Sequence, residues 1–264
     1  VSSLYFDVRQ FPEYRTAPGR QTALAKVSPG LAFYPRIIDI IITSARLAKR
    51  GRMDDAAWVE ASSGTVKALE KAGIRLHLEN LHGLQGRKPP FVFVGNHMST
   101  LETFLLPSLI VPFLPVTFIV KKGLVTYPVF KHVMRSRDPV VVGRTRARED
   151  LPIMLNQGTE RLKRGISIIV FPQRTRQLKF NPAEFNSVGV KLARRAGVPV
   201  VPIALKTGAW GNGKLIKDFG KIDPKRTVHL AFGDPMTVQG NGREQQDRIV
   251  DFISSHLAKW EKED

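Results

Sequence analysis

Between residues 91 and 205 the chain alternates between two kinds of segment. Short apolar runs, FVFV (91–94), VTFIV (116–120), PVVVG (139–143), ISIIVF (166–171) and VPVVPIAL (198–205), are separated by helical patterns at about 101–110, 149–164 and 186–196. Apolar runs of this length are strands covered on both faces, and the intervening helices are the crossovers that a parallel sheet needs. The pattern predicts an α/β fold with a mixed, mainly parallel sheet flanked by helices. IRLHLENL, from residue 74, and TVHLAF (227–232) read as further strands. A C-terminal helix carries Ile249, Phe252, Ile253, Leu257 and Trp260 on one side.

The first 73 residues have a different period. Arg36, Asp39, Thr43, Arg46 and Arg50 recur at steps of three and four, with Ile37, Ile38, Ile41, Ile42 and Ala45 on the other side, so 36–50 reads as an amphipathic helix ended by Gly51. A second helix is expected at 54–72, starting at Asp54 or Asp55 and ending before Gly73. The predicted organisation is therefore an amphipathic two-helix element within 1–73 and an α/β domain over 74–264.

Composition narrows the chemistry. With 264 residues, 42% of them hydrophobic, there is enough apolar material for a sizeable core. There is no cysteine, so disulfides, thiolate metal sites and cysteine nucleophiles are excluded. Forty-one Lys and Arg against 23 Asp and Glu give a net charge of +18, which favours nucleic acid, anionic lipid or an acidic carrier protein as surroundings. No nucleic acid is expected, because no aromatic-basic motif or recognition fold accompanies the charge. VSSLYFDVRQFPEYR lacks the pattern of a secretory signal, and the most apolar stretch, 31–48, is interrupted by Arg36, Asp39 and Arg46, so no membrane span is expected.

Two stretches at predicted strand ends carry candidate chemistry. In GNHMSTLETFLLP (95–107), His97 follows the FVFV strand, at the edge where open α/β sheets bind ligands. On one continuous helix His97 and Glu102 would lie about 140° apart and could not meet. With His97 in a loop and a helix starting near Ser99 or Thr100, Glu102 can reach back to Nδ1 of His97 and leave Nε2 as a general base. Ser99-Thr-Leu-Glu102 also fits an S-x-x-E capping box, which accounts for Glu102 without chemistry, and His97 can equally be an ordinary hydrogen-bonded histidine. No metal is expected, since no second ligand has suitable spacing. In VFPQRTRQLKF (170–180), Arg174, Arg176 and Lys179 crowd a turn where guanidinium groups suit a phosphate ester and Thr175 adds a hydroxyl; taken alone, such a run is usually just a solvated face. VGRTRARED (142–150) is a third basic loop, and TGAWGNGKL (207–215) is turn-rich without the context of a phosphate-binding glycine motif.

Taken in order, these segments resemble the glycerolipid acyltransferase family, in particular the bacterial 1-acylglycerol-3-phosphate acyltransferases. The family's N-H-x4-D block is similar to Asn96-His97 followed by Glu102. A looser block resembles VKKGLVTYPVF (120–130), containing Lys121, with Arg144 downstream. F-P-E-G-T-R is similar to FPQRTR (171–176), and V-P-x-V-P-I is matched by Val198, Pro199, Val201, Pro202 and Ile203. The resemblance spans about 75–205. It implies acyl transfer without an acyl-enzyme: His97 and Glu102 form a catalytic dyad, and the donor is an acyl carrier protein or acyl-CoA thioester used as co-substrate, with no bound cofactor. Asn96, Ser99, Lys121, Arg144, Gln173, Arg174, Thr175 and Arg176 are the implied substrate-binding residues, with Arg176 on the acceptor phosphate and Arg144 assisting.

The implied acceptor is a lysophospholipid, most simply 1-acylglycerol-3-phosphate. The implied location is the cytoplasmic face of the cell membrane, peripheral or monotopic, on anionic lipid. Two departures bear on the acceptor: Gln173 stands where the family has glutamate, and Arg174 where it has glycine. Another lysolipid or aminolipid acceptor, or an inactive lipid-binding homologue, therefore stands beside the main reading.

Overall fold

A computed structural model of the chain describes residues 4–88, 90–127, 130–143, 147–213 and 217–263, with side chains for all of these except 147–149. In chain order the strands are β1 (Tyr14–Arg15), β2 (Leu76–Glu79), β3 (Val92–Gly95), β4 (Val116–Lys121), β5 (Val140–Val142), β6 (Ser167–Val170), β7 (Val200–Lys206) and β8 (Val228–Phe232). The helices are α1 (Ala23–Val27), α2 (Pro29–Lys49), α3 (Asp55–Lys71), α4 (Leu101–Ile110), α5 (Phe130–Ser136), α6 (Ala147–Lys163), α7 (Val188–Ala196) and α8 (Arg243–Glu263).

The strands form one sheet in the order β1-β2-β8-β7-β3-β6-β4-β5. From β7 to β5 all neighbours are parallel, whereas β7 with β8 and β1 with β2 are antiparallel. The sheet is mixed and mainly parallel, as the apolar runs require. Pro202, in mid-strand, is tolerated because the β7–β8 ladder begins at Ile203↔Phe232, and on that side Pro202 offers only its carbonyl, to Gly233 N–H at 2.9 Å.

Alternate residues of each strand feed two cores. Leu76, Leu78, Phe93, Ile169, Val201, Ile203, Leu205 and Leu230 pack with Phe33, Ile37, Trp58, Val66 and Leu69 of α2 and α3 and with Leu101, Leu105 and Leu109 of α4. Val92, Val94, Ile168, Val170, Val200, Ala204 and Ala231 pack on the other side with Leu192 of α7 and Ile249, Ile253 and Trp260 of α8. The central strands are thus covered on both faces, which is why their sequence does not alternate.

Local signals set the helix ends. Ser28 and Asp54 cap α2 and α3 by accepting the N–H groups of Leu31 (3.4 Å) and Ala57 (2.8 Å), and Pro29 occupies the first turn of α2. α3 is tied to α4 by Ser62, whose hydroxyl donates to Phe104 C=O (2.6 Å) and accepts Ser108 N–H (2.9 Å). The isoleucines of α2 do not share one fate. Ile37 is buried, while Ile38 and Ile42 lie on a side exposed together with Val27 and Leu31. Among the described residues, no helix is long and apolar enough to cross a membrane.

Candidate active site

β3 ends at Gly95, and the chain turns into α4 through Asn96-His97-Met98-Ser99-Thr100. Gly95 fits closely there: a Cβ would come within 3.1 Å of Ile203 C=O and 3.2 Å of the Leu205 side chain, so β7 would have to give by a few tenths of an ångström. The close approach lets Asn96 clamp the neighbouring strand: its Nδ2 donates to Leu205 C=O (2.7 Å) and its Oδ1 accepts Leu205 N–H (2.9 Å). Asn96 is buried and Ser99 fully so, and both lie behind the histidine.

His97 and Glu102 meet. Nδ1 of His97 lies 2.6 Å from Oε2 of Glu102, and the side chains are 15% and 0% exposed. The other carboxylate oxygen, Oε1, accepts Met98 N–H and Ser99 N–H, both at 2.9 Å, and the Thr207 hydroxyl. Four donors around one buried carboxylate satisfy the desolvated charge and fix its orientation. With the carboxylate accepting at Nδ1, the proton belongs on that nitrogen, and among the described residues Nε2 makes no hydrogen bond. The ring lies flat against Phe171, with centroids 4.4 Å apart and planes 8° from parallel, so it has little freedom to turn.

The capping box is half formed. Ser99 N–H donates to Glu102, but the Ser99 hydroxyl accepts Leu101 N–H (3.1 Å) and points to Thr207 (3.0 Å to its Oγ1). Helix start and dyad are thus built from the same carboxylate.

The loop after β6 packs beside this turn, since β6 is the parallel neighbour of β3. Gln173 is 2% exposed; its Oε1 accepts the His97 backbone N–H (2.6 Å), and its Nε2 donates to Gln177 Oε1 (2.8 Å). Gln177 in turn donates its amide to Glu184 and its backbone N–H to His97 C=O (2.9 Å). Arg174 and Thr175 are exposed. Among the described residues only Asn80 (54°) and Asp138 (46°) combine a side chain with positive φ, so Arg174 stands where the family has glycine without left-handed strain.

Arg176 is mostly buried and engaged. Its guanidinium donates to Asp218 (2.6 Å), Asn212 (3.3 Å) and Thr100. Asp218 also accepts the Thr100 hydroxyl at 2.7 Å. Burial pushes the Asp218 carboxyl up, but the hydrogen bonds from Thr100 and Arg176 and the charges of Arg176 and Lys121 together hold it below the usual aspartate value. Lys121 lies exposed at the end of β4, at the same edge of the sheet. Arg144 lies outside the described residues.

Thr207, Asn212 and Asp218 are contributions the motifs did not single out. They come from the turn-rich loop after β7, which is parallel to β3 and so ends at the same edge. Asn212 also donates to Met98 C=O (3.1 Å), fastening the loop over the histidine turn. A Cβ at Gly220 would overlap the backbone of Gly211, so the loop closes on itself only with glycine there. The signal for this segment was its place after a predicted strand, not its residue types.

Comparison with known proteins agrees with this architecture. Residues 73–206 match the family model described as Acyltransferase. A Pseudomonas aeruginosa protein described as 1-acyl-sn-glycerol-3-phosphate acyltransferase is 31% identical over 193 residues, 71% of this chain and 71% of the relative. A chloroplastic protein of Arabidopsis thaliana with the same description is 32% identical over 142 residues, 54% of this chain and 38% of that one. Among solved structures, the 1-acyl-sn-glycerophosphate acyltransferase of Thermotoga maritima superposes with a TM-score of 0.62 at 21% identity, covering 89% of this chain and 96% of that one. Sequence and fold agree, and this chain is a member of the acyltransferase family.

Proposed function

We propose that the enzyme transfers a fatty acyl group from an acyl carrier protein or coenzyme A thioester to the free hydroxyl of a lysophospholipid, most simply 1-acylglycerol-3-phosphate. The observation that carries this reading is the 2.6 Å contact between His97 Nδ1 and Glu102, which leaves Nε2 as the basic nitrogen. Nε2 takes the proton of the acceptor hydroxyl while its oxygen attacks the thioester carbonyl. The carbon–sulfur bond then breaks, and the departing sulfur takes the proton back from the imidazolium as a free thiol. Glu102 holds the ring in one tautomer and offsets its transient positive charge. Arg176, with Arg174, Thr175 and Lys121 at the rim, supplies donors for the acceptor phosphate. Gln173 shapes the pocket through the His97 backbone.

An apolar cavity of about 60 Å³, lined by Ile40, Ile41, Trp58, Phe104, Phe130 and Met134, lies below the start of α4 and gives part of an acyl chain apolar company. The exposed stripe Val27, Leu31, Ile38 and Ile42 on α1 and α2, with Lys26, Arg46 and Lys49 on the same helices, fits a protein resting on anionic lipid at the cytoplasmic face.

One observation favours a second acceptor class. Arg176 is already paired with Asp218, so a carboxylate borders the phosphate site. An acceptor carrying an amine beside its phosphate, a zwitterionic lysolipid, would place that amine against Asp218.

Both readings are tested by incubating the protein with a labelled acyl thioester and a panel of lysolipids. Esterified lysophosphatidic acid supports the first, preference for a zwitterionic lysolipid the second, and no product from any member contradicts both.

A further inference from the structure

Two and three strands across the sheet from β3, His229 of β8 and His77 of β2 are direct partners in a parallel ladder. Leu76, Leu78, Val228 and Leu230 face the helical core, so the two imidazoles share the other side, beneath the end of α8. Both are buried, 4% and 2% exposed. Their ring centroids are 5.4 Å apart, and His229 stacks on Trp260 of α8 at 5.1 Å. The last turn of that helix brings Glu263 to the pair, and one ligand atom from each of His77, His229 and Glu263 lies within 4.8 Å of the others.

The hydrogen bonds around His77 define which nitrogen is available. Its Nε2 is 2.9 Å from Glu13 Oε1 and 3.8 Å from Glu79, so the ring proton belongs on Nε2. Nδ1 then carries a lone pair, is buried and, among the described residues, has no hydrogen-bond partner. It faces Glu263 Oε2 at 3.7 Å, a lone pair against an anion at a distance too long for a hydrogen bond. Lys259 leans instead on Glu79 (2.8 Å) and stands 3.9 Å from the other Glu263 oxygen, leaving Oε2 turned towards the histidines.

We infer that His77, His229 and Glu263 form a binding site for a divalent transition metal, zinc above all. Two imidazoles and one carboxylate are a zinc donor set that leaves one position for water. Two ligand atoms at roughly 2.0–2.2 Å from a tetrahedral zinc are about 3.4 Å apart, within a few tenths of an ångström of the His77–Glu263 separation. Glu13 on the far nitrogen of His77 is the outer carboxylate that orients a metal-bound histidine and raises its basicity. Around the three ligands, Glu13 is paired with Arg15 and Glu79 with Lys259, and the Lys206 ammonium is held on Trp260 C=O (2.7 Å). Glu13 and Glu79 also line an open cavity of about 710 Å³ with Asp234, Asp251 and Arg248. The ion would staple the end of α8 to the β2–β8 ladder, where His229 pairs with Lys206 at the end of β7.

The test uses the full chain, stripped with a chelator and titrated with Zn²⁺ or Co²⁺ alone. One equivalent of Zn²⁺ is expected to bind and raise Tm, and Co²⁺ to give the intense visible bands of a four-coordinate site. Glu263→Gln, at an exposed helix end, should weaken Zn²⁺ binding by about tenfold or more with the fold intact, and Glu13→Gln by about 10–100-fold. Absence of binding, or Zn²⁺ affinity unchanged in both variants, overturns the site.

Discussion

Oε1 of Glu102 accepts the backbone N–H groups of Met98 and Ser99, while Oε2, on the same carboxylate, lies 2.6 Å from Nδ1 of His97. One group therefore ties down the turn at a helix start and aims an imidazole.

Glu102→Gln separates those roles. An amide cannot accept from four donors, so whichever way it turns, an N–H group faces a donor. The fold should lose about 1–3 kcal/mol, read from denaturant midpoints. If Glu102 also orients His97, kcat for acyl transfer should fall by about 10²–10⁴ beyond any loss of folded protein. A variant that loses stability but keeps kcat would reduce Glu102 to a cap.

Gln173 is held in a chain of amides, accepting from His97 N–H and donating to Gln177, which donates to Glu184. Glutamate at 173 keeps the first bond but sets a carboxylate against Gln177 Oε1. Turning Gln177 over only moves the conflict to Glu184. Gln173→Glu should therefore cost about 1–3 kcal/mol. Adding Glu184→Gln, which can donate to the turned Gln177, should recover much of it. A double-mutant cycle in urea measures the coupling, and additive losses would remove this account of the departure from the family block.

Asp218 is a carboxyl held below its ordinary value, so its contribution is present above the unfolded pKa and is lost as pH falls through the folded one. Wild type should exceed Asp218→Asn in Tm at pH 7, and the gap should close below about pH 4. The pair with Arg176 is partly exposed, so the gap should be worth less than about 1 kcal/mol. The same variant releases Arg176, and KM for lysophosphatidic acid should fall several-fold. A gap that widens in acid would contradict the assignment.

Ile38→Ser with Ile42→Ser removes half of the exposed stripe without touching the core. Flotation with anionic vesicles should weaken about tenfold or more for the pair, with Tm almost unchanged. Equal flotation would place the membrane contact elsewhere.

The sheet was legible because buried parallel strands must be apolar on both faces, and each run from FVFV to VPVVPIAL became a strand within a residue or two of its expected ends. The meeting of His97 and Glu102 was legible for a local reason: the S-x-x-E pattern starts a helix that sets Glu102 in its first turn, five residues beyond a strand-end histidine. Asp218 and Thr207 were not, because their contacts with Arg176 and Glu102 span 42 and 105 residues and depend on where β7 inserts beside β3. Asn96, a binding residue by the family resemblance, is seated on Leu205, since a side-chain amide at a strand end can continue the ladder that the backbone has just left. The division of the α2 isoleucines was hidden for a related reason. Helical period defines a broad apolar side but not the width of the surface it packs on.

The central claim is that His97 is the base, and it is tested most directly by the rate of ester formation from a labelled acyl thioester and a lysophospholipid in His97→Ala against wild type. With far-UV spectrum and Tm retained, the rate should fall by about 10²–10⁴ at saturating acceptor. Turnover within a few-fold of wild type would contradict it.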